Sequence, residues 1–424
     1  MEAIRLGLVG CGGMGHRHLF GLAELHRAGL CRFAPVAACD PRHENAVSLA
    51  AHVTEHFGTR PAVVGTMDEL ASVGGIQAVD ICTDPPHHHT LAVEAMRRGW
   101  DAMVEKPMGL TARACRLMRQ AAVETGRLLS VAENYRRDPI NRLAKALLDQ
   151  GVIGRTRFMM HNTAGGRDQM LISVWRHQKN MSGILLDVGV HFSDMIEYLM
   201  GDVTTVYAQT RLYEKTRKNP MAGKDPDAVE HTSPAGVYER WQKDMPAEFE
   251  ATAEDAAYAT LVFASGAVGQ YLEEHAAHGR GFWHRAVYGE RGSLDLPGDR
   301  SGQPINLTLD DGGLIEGAAI LDLVPDFHVD DATAALFGGT RLWRYSFPFA
   351  ETDRKIIAIE YADFADAILT GRPPEVGPDM GARSVAISYA MLESGALNRP
   401  VTIDEVLDDR THTYQAEINE SLGI

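Results

Sequence analysis

The chain has 424 residues, 45% of them hydrophobic and 23% charged, and carries a formal net charge of −16. That length exceeds what one ordinary core fills and points to two domains of unequal size. The acidic balance argues against nucleic acid as a partner, and no run of about 18 apolar residues offers a membrane span.

Residues 4–9 read as a strand, followed by a glycine turn and a helix over about 15–28. No basic stretch followed by an apolar one precedes that strand, so no signal peptide and a cytoplasmic location are expected. A second strand covers 34–39 and ends at Asp40, and 78–82 and 102–104 read as further buried strands with helices between them. This alternation predicts a parallel sheet with helices on both faces. The cysteines Cys11, Cys31, Cys39, Cys82 and Cys115 are odd in number, scattered, and form no CxxC pair. They read as reduced thiols, not as a disulfide frame or a zinc site.

From about residue 134 the rhythm changes. Segments 155–162, 203–211, 257–263, 266–273 and 284–288 read as strands without regular helices between them, which predicts a mixed or antiparallel sheet. Segment 214–250 is polar and rich in charge and proline, and reads as an inserted loop or lid. Segment 296–349 is a second irregular stretch, rich in Gly and Asp.

Gly10-Cys11-Gly12-Gly13-Met14-Gly15 is a GxGxxG match that follows a strand and opens a helix. That context turns a weak motif into the fingerprint of a Rossmann dinucleotide fold. Gly10 permits the tight turn, Gly12 lets backbone approach a pyrophosphate at the helix N-terminus, and Gly15 lets helix and strand pack closely. Asp40, at the end of the second strand, suits the adenosine ribose hydroxyls and repels a 2′-phosphate. NAD is therefore favoured over NADP, although Arg42 offers a phosphate some charge. Asp40 before Pro41 also reads as a turn residue.

Downstream, Glu105-Lys106-Pro107 follows a buried strand, where open α/β sheets bind ligands. Lys106 there can orient a substrate hydroxyl, though by spacing alone it is a surface lysine. The stretch 183–198 reads as one apolar helix. Along it Asp187, His191, Asp194 and Tyr198 recur at steps of four, three and four, giving one polar stripe. Such a stripe is either an internal network or a wall of a wet pocket. His191, with an unperturbed pKa of about 6.5, suits a general base, and Asp187 one turn away can hold a hydroxyl or polarise the imidazole. A purely structural His–Asp pair fits the same spacing. His87-His88-His89 looks like a metal cluster, but consecutive residues cannot converge on one ion, so no metal site is expected. Trp175-Arg176 reads as a stacking ring with an anchoring cation, or as a packed loop. Arg136-Arg137 reads as a solvated or phosphate-facing charge cluster.

These motifs resemble the glucose–fructose oxidoreductase/inositol dehydrogenase (Gfo/Idh/MocA) family along nearly the whole chain. Further matches are Glu254-Asp255 leading to Phe263-Ala264-Ser265-Gly266, then Gly289-Glu290-Arg291-Gly292, and the run from Phe364 to Gly371-Arg372-Pro373. The resemblance implies an α/β chain: a Rossmann doubly wound parallel sheet over 1–133, then an α+β domain over 134–424. That second domain would carry a large open sheet that often mediates homodimers or homotetramers. Segments 214–250 and 296–349 depart from shorter members. The implied catalytic residues are Lys106, Asp187 and His191. The implied cofactor contacts are Gly10, Gly12, Gly13, Met14, Gly15, Asp40, Arg42, Thr83, Pro85, Glu105 and Lys106. Substrate contacts are Lys106, Asn134, Trp175, Arg176, Asp187 and His191. Where members usually show Thr-Pro, this chain has Thr83-Asp84-Pro85-Pro86, which leaves open which of the first three lies at the nicotinamide half.

The leading expectation is an NAD-dependent oxidation of a secondary alcohol on a sugar, cyclitol or sugar derivative. Two others stay open: a glycosidase that oxidises and re-reduces its substrate through bound NAD, and a non-catalytic NAD-binding regulator. The set Lys106, Asp187 and His191 argues against the last.

Overall fold

The computed structural model describes residues 3–224, 239–310 and 313–424. The polar core of the 214–250 segment, 225–238, lies outside them. Strand and helix alternate at first: β1 (Ile4–Val9), α1 (Gly13–Arg27), β2 (Phe33–Cys39), α2 (His43–Phe57), β3 (Ala62–Val64), α3 (Met67–Ser72), β4 (Ala78–Ile81), α4 (Pro85–Arg97), β5 (Asp101–Glu105), α5 (Ala112–Thr125) and β6 (Leu129–Ala132). The six strands form one sheet in the order β3-β2-β1-β4-β5-β6, and every pairing is parallel. This is the doubly wound order whose switch point lies between β1 and β4. Strands β4, β5 and β6 are buried at every residue, as expected where helices cover both faces.

Two compact units emerge. The first gathers residues 1–110, 114–134 and 350–382. A division at residue 134 would leave the last of these segments in the second domain. Its helix Phe349–Thr370 packs on α1, where a Cβ on Gly21 would stand 2.5 Å from Ile357, so only glycine allows that approach. Arg17 of α1 adds a two-pronged bond to Asp353, at 2.9 and 2.6 Å.

The second unit holds 111–113, 135–349 and 383–424. Its strands are β7 (Thr156–Gly166), β8 (Val203–Arg211), β9 (Thr216–Lys218), β10 (Glu248–Glu250), β11 (Ala256–Phe263), β12 (Val268–Ala277), β13 (Phe282–Gly289), β14 (Gly292–Leu296), β15 (Asn306–Leu309), β16 (Leu314–Ile315) and β17 (Val401–Thr402). Nine of them make one sheet, β16-β15-β14-β13-β7-β12-β11-β8-β17. Only the β12–β7 pairing is parallel, so the sheet is mixed. Strands β9 and β10 form a separate antiparallel pair at the base of the 214–250 segment. Arg217 of β9 anchors it, donating to Asp255 at 2.8 Å from a fully buried position.

Register assigns the faces of the large sheet. Residues paired side by side point the same way, and alternate residues share a face. His161, Tyr271, Arg285 and Val287 therefore lie on one face, and all are buried. Tyr207, Val262, Val268, Phe282 and Tyr288 lie on the other, and all are exposed. The covered face meets α8 (Gly189–Met200), which follows α6 (Pro139–Asp149) and α7 (Ile184–Asp187) in the chain. Phe192 of α8 packs on His161, with ring centroids 4.2 Å apart. Burial, then the Arg285 charge, hold His161 well below its ordinary pKa, so it sits there as a neutral ring. Among the described residues no helix is long and apolar enough to cross a membrane.

Candidate active site

The first unit builds a nucleotide cradle at the β1–α1 turn. Gly10 has φ +86°, and a side chain there would meet the Cys82 carbonyl at 2.7 Å and the Thr83 methyl at 2.9 Å. A Cβ on Gly15 would stand 2.1 Å from the Gly10 carbonyl oxygen, so α1 closes directly onto the turn. Gly12 is different: nothing lies within 4 Å of where its Cβ would be. Its missing side chain leaves open space at the first turn of α1, the room a pyrophosphate needs. Beside it Gly13 is buried and Met14 half-buried.

Asp40 follows β2 and is 7% exposed. Its Oδ2 accepts from the Cys11 amide at 2.8 Å and its Oδ1 from the Arg42 amide at 2.8 Å. The carboxylate is thereby fixed against the glycine loop and keeps acceptor sites for ribose hydroxyls. Arg42 contributes its backbone to this arrangement, and its side chain is exposed. In Thr83-Asp84-Pro85-Pro86, Asp84 takes the position before α4 and Pro85 the first helical position, where proline is pre-organised. Thr83 is thus the residue left against the glycine turn. An open cradle, a fixed carboxylate and a helix N-terminus fit NAD.

Lys106 stands out by exposure. From Asp101 to Leu110 it alone is half-buried, while its neighbours are buried. Its peptide bond to Pro107 is cis. Glu105 points inward, and its Oε1 accepts from His18 Nε2 at 3.3 Å. His18 Nδ1 donates to Asp80 at 3.1 Å, and Asp80 also accepts the Tyr361 hydroxyl at 2.5 Å. Burial opposes charge on His18, but Asp80, Cys82 and their hydrogen bonds outweigh it and raise its pKa well above the ordinary value. For Glu105 burial also opposes charge. The His18 hydrogen bond and the Lys106 charge prevail, and its pKa falls. Glu105, expected at the cofactor, thus gives one carboxylate oxygen to a buried imidazolium. Asn134 is 4% exposed, and its Oδ1 has no hydrogen-bond partner. A buried acceptor seldom stays unpaired, and Asn134 is one of several described residues with such an atom.

In the second unit the stretch expected as one helix is two. Val188 separates α7 from α8, and each stripe residue finds a partner. Asp187 accepts from Arg176 Nε at 2.7 Å, and both side chains are buried. Arg176 also donates to Ser173 Oγ at 3.0 Å and lies over the Trp175 ring at 4.2 Å. The Trp175-Arg176 pair therefore holds Asp187. His191 stacks on Tyr135, with centroids 4.2 Å apart and planes 4° from parallel. Arg300 donates to the Tyr135 hydroxyl at 3.3 Å, and its guanidinium lies 4.9 Å from that ring. Its backbone amide donates to Asp138 at 2.8 Å, as does the Tyr345 hydroxyl at 3.0 Å. Burial pushes the Asp138 carboxyl up to about 6. The irregular 296–349 stretch thus supplies two residues to the surroundings of Tyr135.

One expectation is corrected here. Arg136 and Arg137 are neither solvated nor a loose charge cluster, being only 7% and 0% exposed. Arg136 grips Asp194 at 2.8 and 2.5 Å and lies over the Tyr198 ring at 5.0 Å. The far half of the polar stripe is therefore an internal network, as buried ionic groups require. Tyr135 and Arg300 had no sequence signal. They lie 165 residues apart and share no motif.

Comparisons with known proteins place the chain in a family. Residues 4–133 match the oxidoreductase family, NAD-binding Rossmann fold, and residues 141–295 match the GFO/IDH/MocA C-terminal domain. The chain belongs to the Gfo/Idh/MocA family of oxidoreductases, and its N-terminal domain is an NAD-binding Rossmann domain. Levoglucosan dehydrogenase of Pseudarthrobacter phenanthrenivorans is 28% identical over 305 residues, 69% of this chain and 73% of that protein. Inositol 2-dehydrogenase of Burkholderia ambifaria is 27% identical over 235 residues, 55% of this chain and 65% of that protein. D-apiose dehydrogenase of Paraburkholderia graminis is 29% identical over 231 residues, 54% of this chain and 57% of that protein. The match thus spans less than two thirds of the latter two. Among solved structures, an NAD binding oxidoreductase from Klebsiella pneumoniae gives a TM-score of 0.74 at 23% identity, covering 95% of this chain and 99% of that one. Levoglucosan dehydrogenase in complex with NADH gives 0.71 at 22% identity, with the same coverages. At these identities the structures speak to the fold.

Proposed function

We propose that the protein is an NAD-dependent dehydrogenase of a secondary hydroxyl on a sugar, cyclitol or sugar derivative, with His191 as acid/base. The observation that carries this reading is the His191 imidazole held flat on Tyr135, four residues beyond a carboxylate fixed by Arg176. The relatives' names, levoglucosan, inositol and apiose dehydrogenases, support the substrate class. Bound NAD supplies the hydride acceptor. A ring nitrogen of His191 takes the hydroxyl proton. Asp187, oriented by Arg176, accepts a hydrogen bond from a neighbouring hydroxyl. Lys106 donates from Nζ to the reacting oxygen and steadies it as its proton leaves. Asp40 holds the adenosine ribose, and Asn134 offers its open acceptor to the ligand.

A panel of levoglucosan, myo-inositol, apiose and related sugars and glycosides with NAD tests the reading by absorbance of NADH and product mass. Net NADH with a ketone product is expected. Cleavage of a glycoside without net NADH, or no turnover of any member while NADH binds, would overturn it.

Two further outcomes follow. Asp40→Ala and Asp40→Ser raise the NADP-to-NAD ratio of kcat/KM about tenfold or more, because the repelling carboxylate is gone. An unchanged ratio contradicts the role of Asp40. Tyr135→Leu lowers kcat about tenfold through loss of the stack, whereas Tyr135→Phe keeps it within about threefold. Equal kcat in both variants contradicts the role of the ring. We also assign the exposed face bearing Tyr207, Val262, Val268, Phe282 and Tyr288 to a contact between copies, since apolar patches on open sheets are usually covered. Light scattering should give a dimer or tetramer mass, and a monomer at all concentrations contradicts it.

A further inference from the structure

His87-His88-His89 forms no metal cluster by its spacing, yet its middle member holds a specific position. His88, in the first turn of α4, is fully buried. Its Nδ1 lies 2.8 Å from the Pro107 carbonyl oxygen, and its Nε2 lies 3.0 Å from the Thr83 carbonyl oxygen. Those carbonyls belong to the segments leaving β5 and β4. The two strands are neighbours, but their ladder ends at Ile81 and Val104. Beyond that pair no ladder joins the two segments, and the His88 ring faces a backbone carbonyl of each.

The flanking residues give this link its meaning. Thr83 packs on Gly10 at the nucleotide turn. Pro107 directly follows Lys106, whose other neighbour, Glu105, is tied to His18. Lys106 therefore reaches out between two tethered residues, and one tether is shared with the cofactor turn. Ligands of open α/β sheets sit just past such strand ends, where backbone placement decides where side chains can reach.

We infer that His88 is a positioning residue that staples the Thr83 turn to the Lys106-Pro107 turn, so that cofactor seating and lysine placement are set by one buried ring. This rests on the proposed roles of Thr83 and Lys106. Burial holds the His88 pKa below its ordinary value, so the neutral ring donates to one of the two carbonyls and packs against the other, and the two contacts are separable by substitution. Asparagine places an amide N–H near Nδ1 and keeps the Pro107 contact. Glutamine places one near Nε2 and keeps the Thr83 contact.

The test uses full-length His88→Asn, His88→Gln and His88→Leu, with two readouts that need no identified substrate. NADH affinity comes from its fluorescence. The acetylation rate of Lys106 by an N-hydroxysuccinimide ester comes from peptide mass spectrometry. His88→Asn is expected to weaken NADH about fivefold and leave the Lys106 rate within about twofold. His88→Gln is expected to speed Lys106 acetylation about fivefold and leave NADH affinity within about twofold. His88→Leu should show both changes. The inference is overturned if both readouts shift together by the same factor in the Asn and Gln variants, or if neither shifts. Should His88→Leu fail to fold, the Asn and Gln pair decides alone. A Lys106→Met protein with undiminished turnover would remove the catalytic role of Lys106, and the split between the two readouts would still judge the staple.

Discussion

Replacing His191 with alanine should lower kcat by about 10²–10⁴-fold, the usual worth of a positioned general base, while NADH binds as before. The nucleotide cradle lies wholly in the first unit, at Gly10, Gly12, Gly15 and Asp40, and His191 belongs to the second. The substitution therefore separates chemistry from cofactor seating. It removes a proton acceptor and also frees one face of Tyr135, so His191→Asn, which keeps a planar polar group, should lose nearly as much rate. Steady-state kinetics at several pH values, with NADH affinity measured in parallel, checks this. A near-wild-type kcat across the pH range contradicts the assignment of His191.

The second large effect concerns Asp187. Its partner Arg176 is buried with it, the side chains being 9% and 4% exposed, so breaking the pair takes a charge-assisted bond away from a buried carboxylate. Arg176→Met should cost about 3–5 kcal/mol of stability on that ground. Adding Asp187→Asn removes the buried carboxylate and should recover much of the loss, because neither charge remains. Turnover should not recover, since the oriented carboxylate is gone as well. Urea unfolding midpoints and kcat, taken on both variants, separate the two contributions. If Arg176→Met is as stable as the parent, the pair is hydrated and the argument from burial fails. If the double variant regains turnover, Asp187 has no part in holding substrate.

The extent to which this could be read in advance tracks how local the physics is. The β1 strand, the glycine turn and α1 follow one another within the chain, so pattern and motif together located them. Strand β8 spans Val203–Arg211, the range its alternation predicts. The three-residue strand β3 and the two-residue strand β16 are too short for any period to show. The polar stripe was legible as a stripe, but which members face a pocket was not. Asp194 and Tyr198 are claimed by Arg136, a residue whose burial no local pattern signals. The break at Val188 likewise has no proline to announce it. Long-range partners were out of reach altogether: Tyr361 bonds Asp80 across 281 residues, and Arg300 reaches Tyr135 across 165. For the same reason the segment 350–382, far along the chain, was not read as part of the nucleotide-binding unit.

His18 and His88 show the limit most clearly. Each is one residue in an ordinary-looking helix, and each touches the chain at the end of β4 or β5 through bonds that only the folded sheet creates. The motif Glu105-Lys106-Pro107 was visible, but the means by which the fold holds it was not.

The central claim is that a carbon-bound hydrogen of a sugar-type alcohol passes to NAD while His191 takes the hydroxyl proton. The most direct measurement supplies the panel's turned-over alcohol deuterated at the carbinol carbon, with unlabelled NAD in ordinary water, and weighs the reduced cofactor. One deuterium in the NADH, with the matching ketone, is the predicted result. Deuterium lost to water, or retained in a product while no NADH forms, would contradict it.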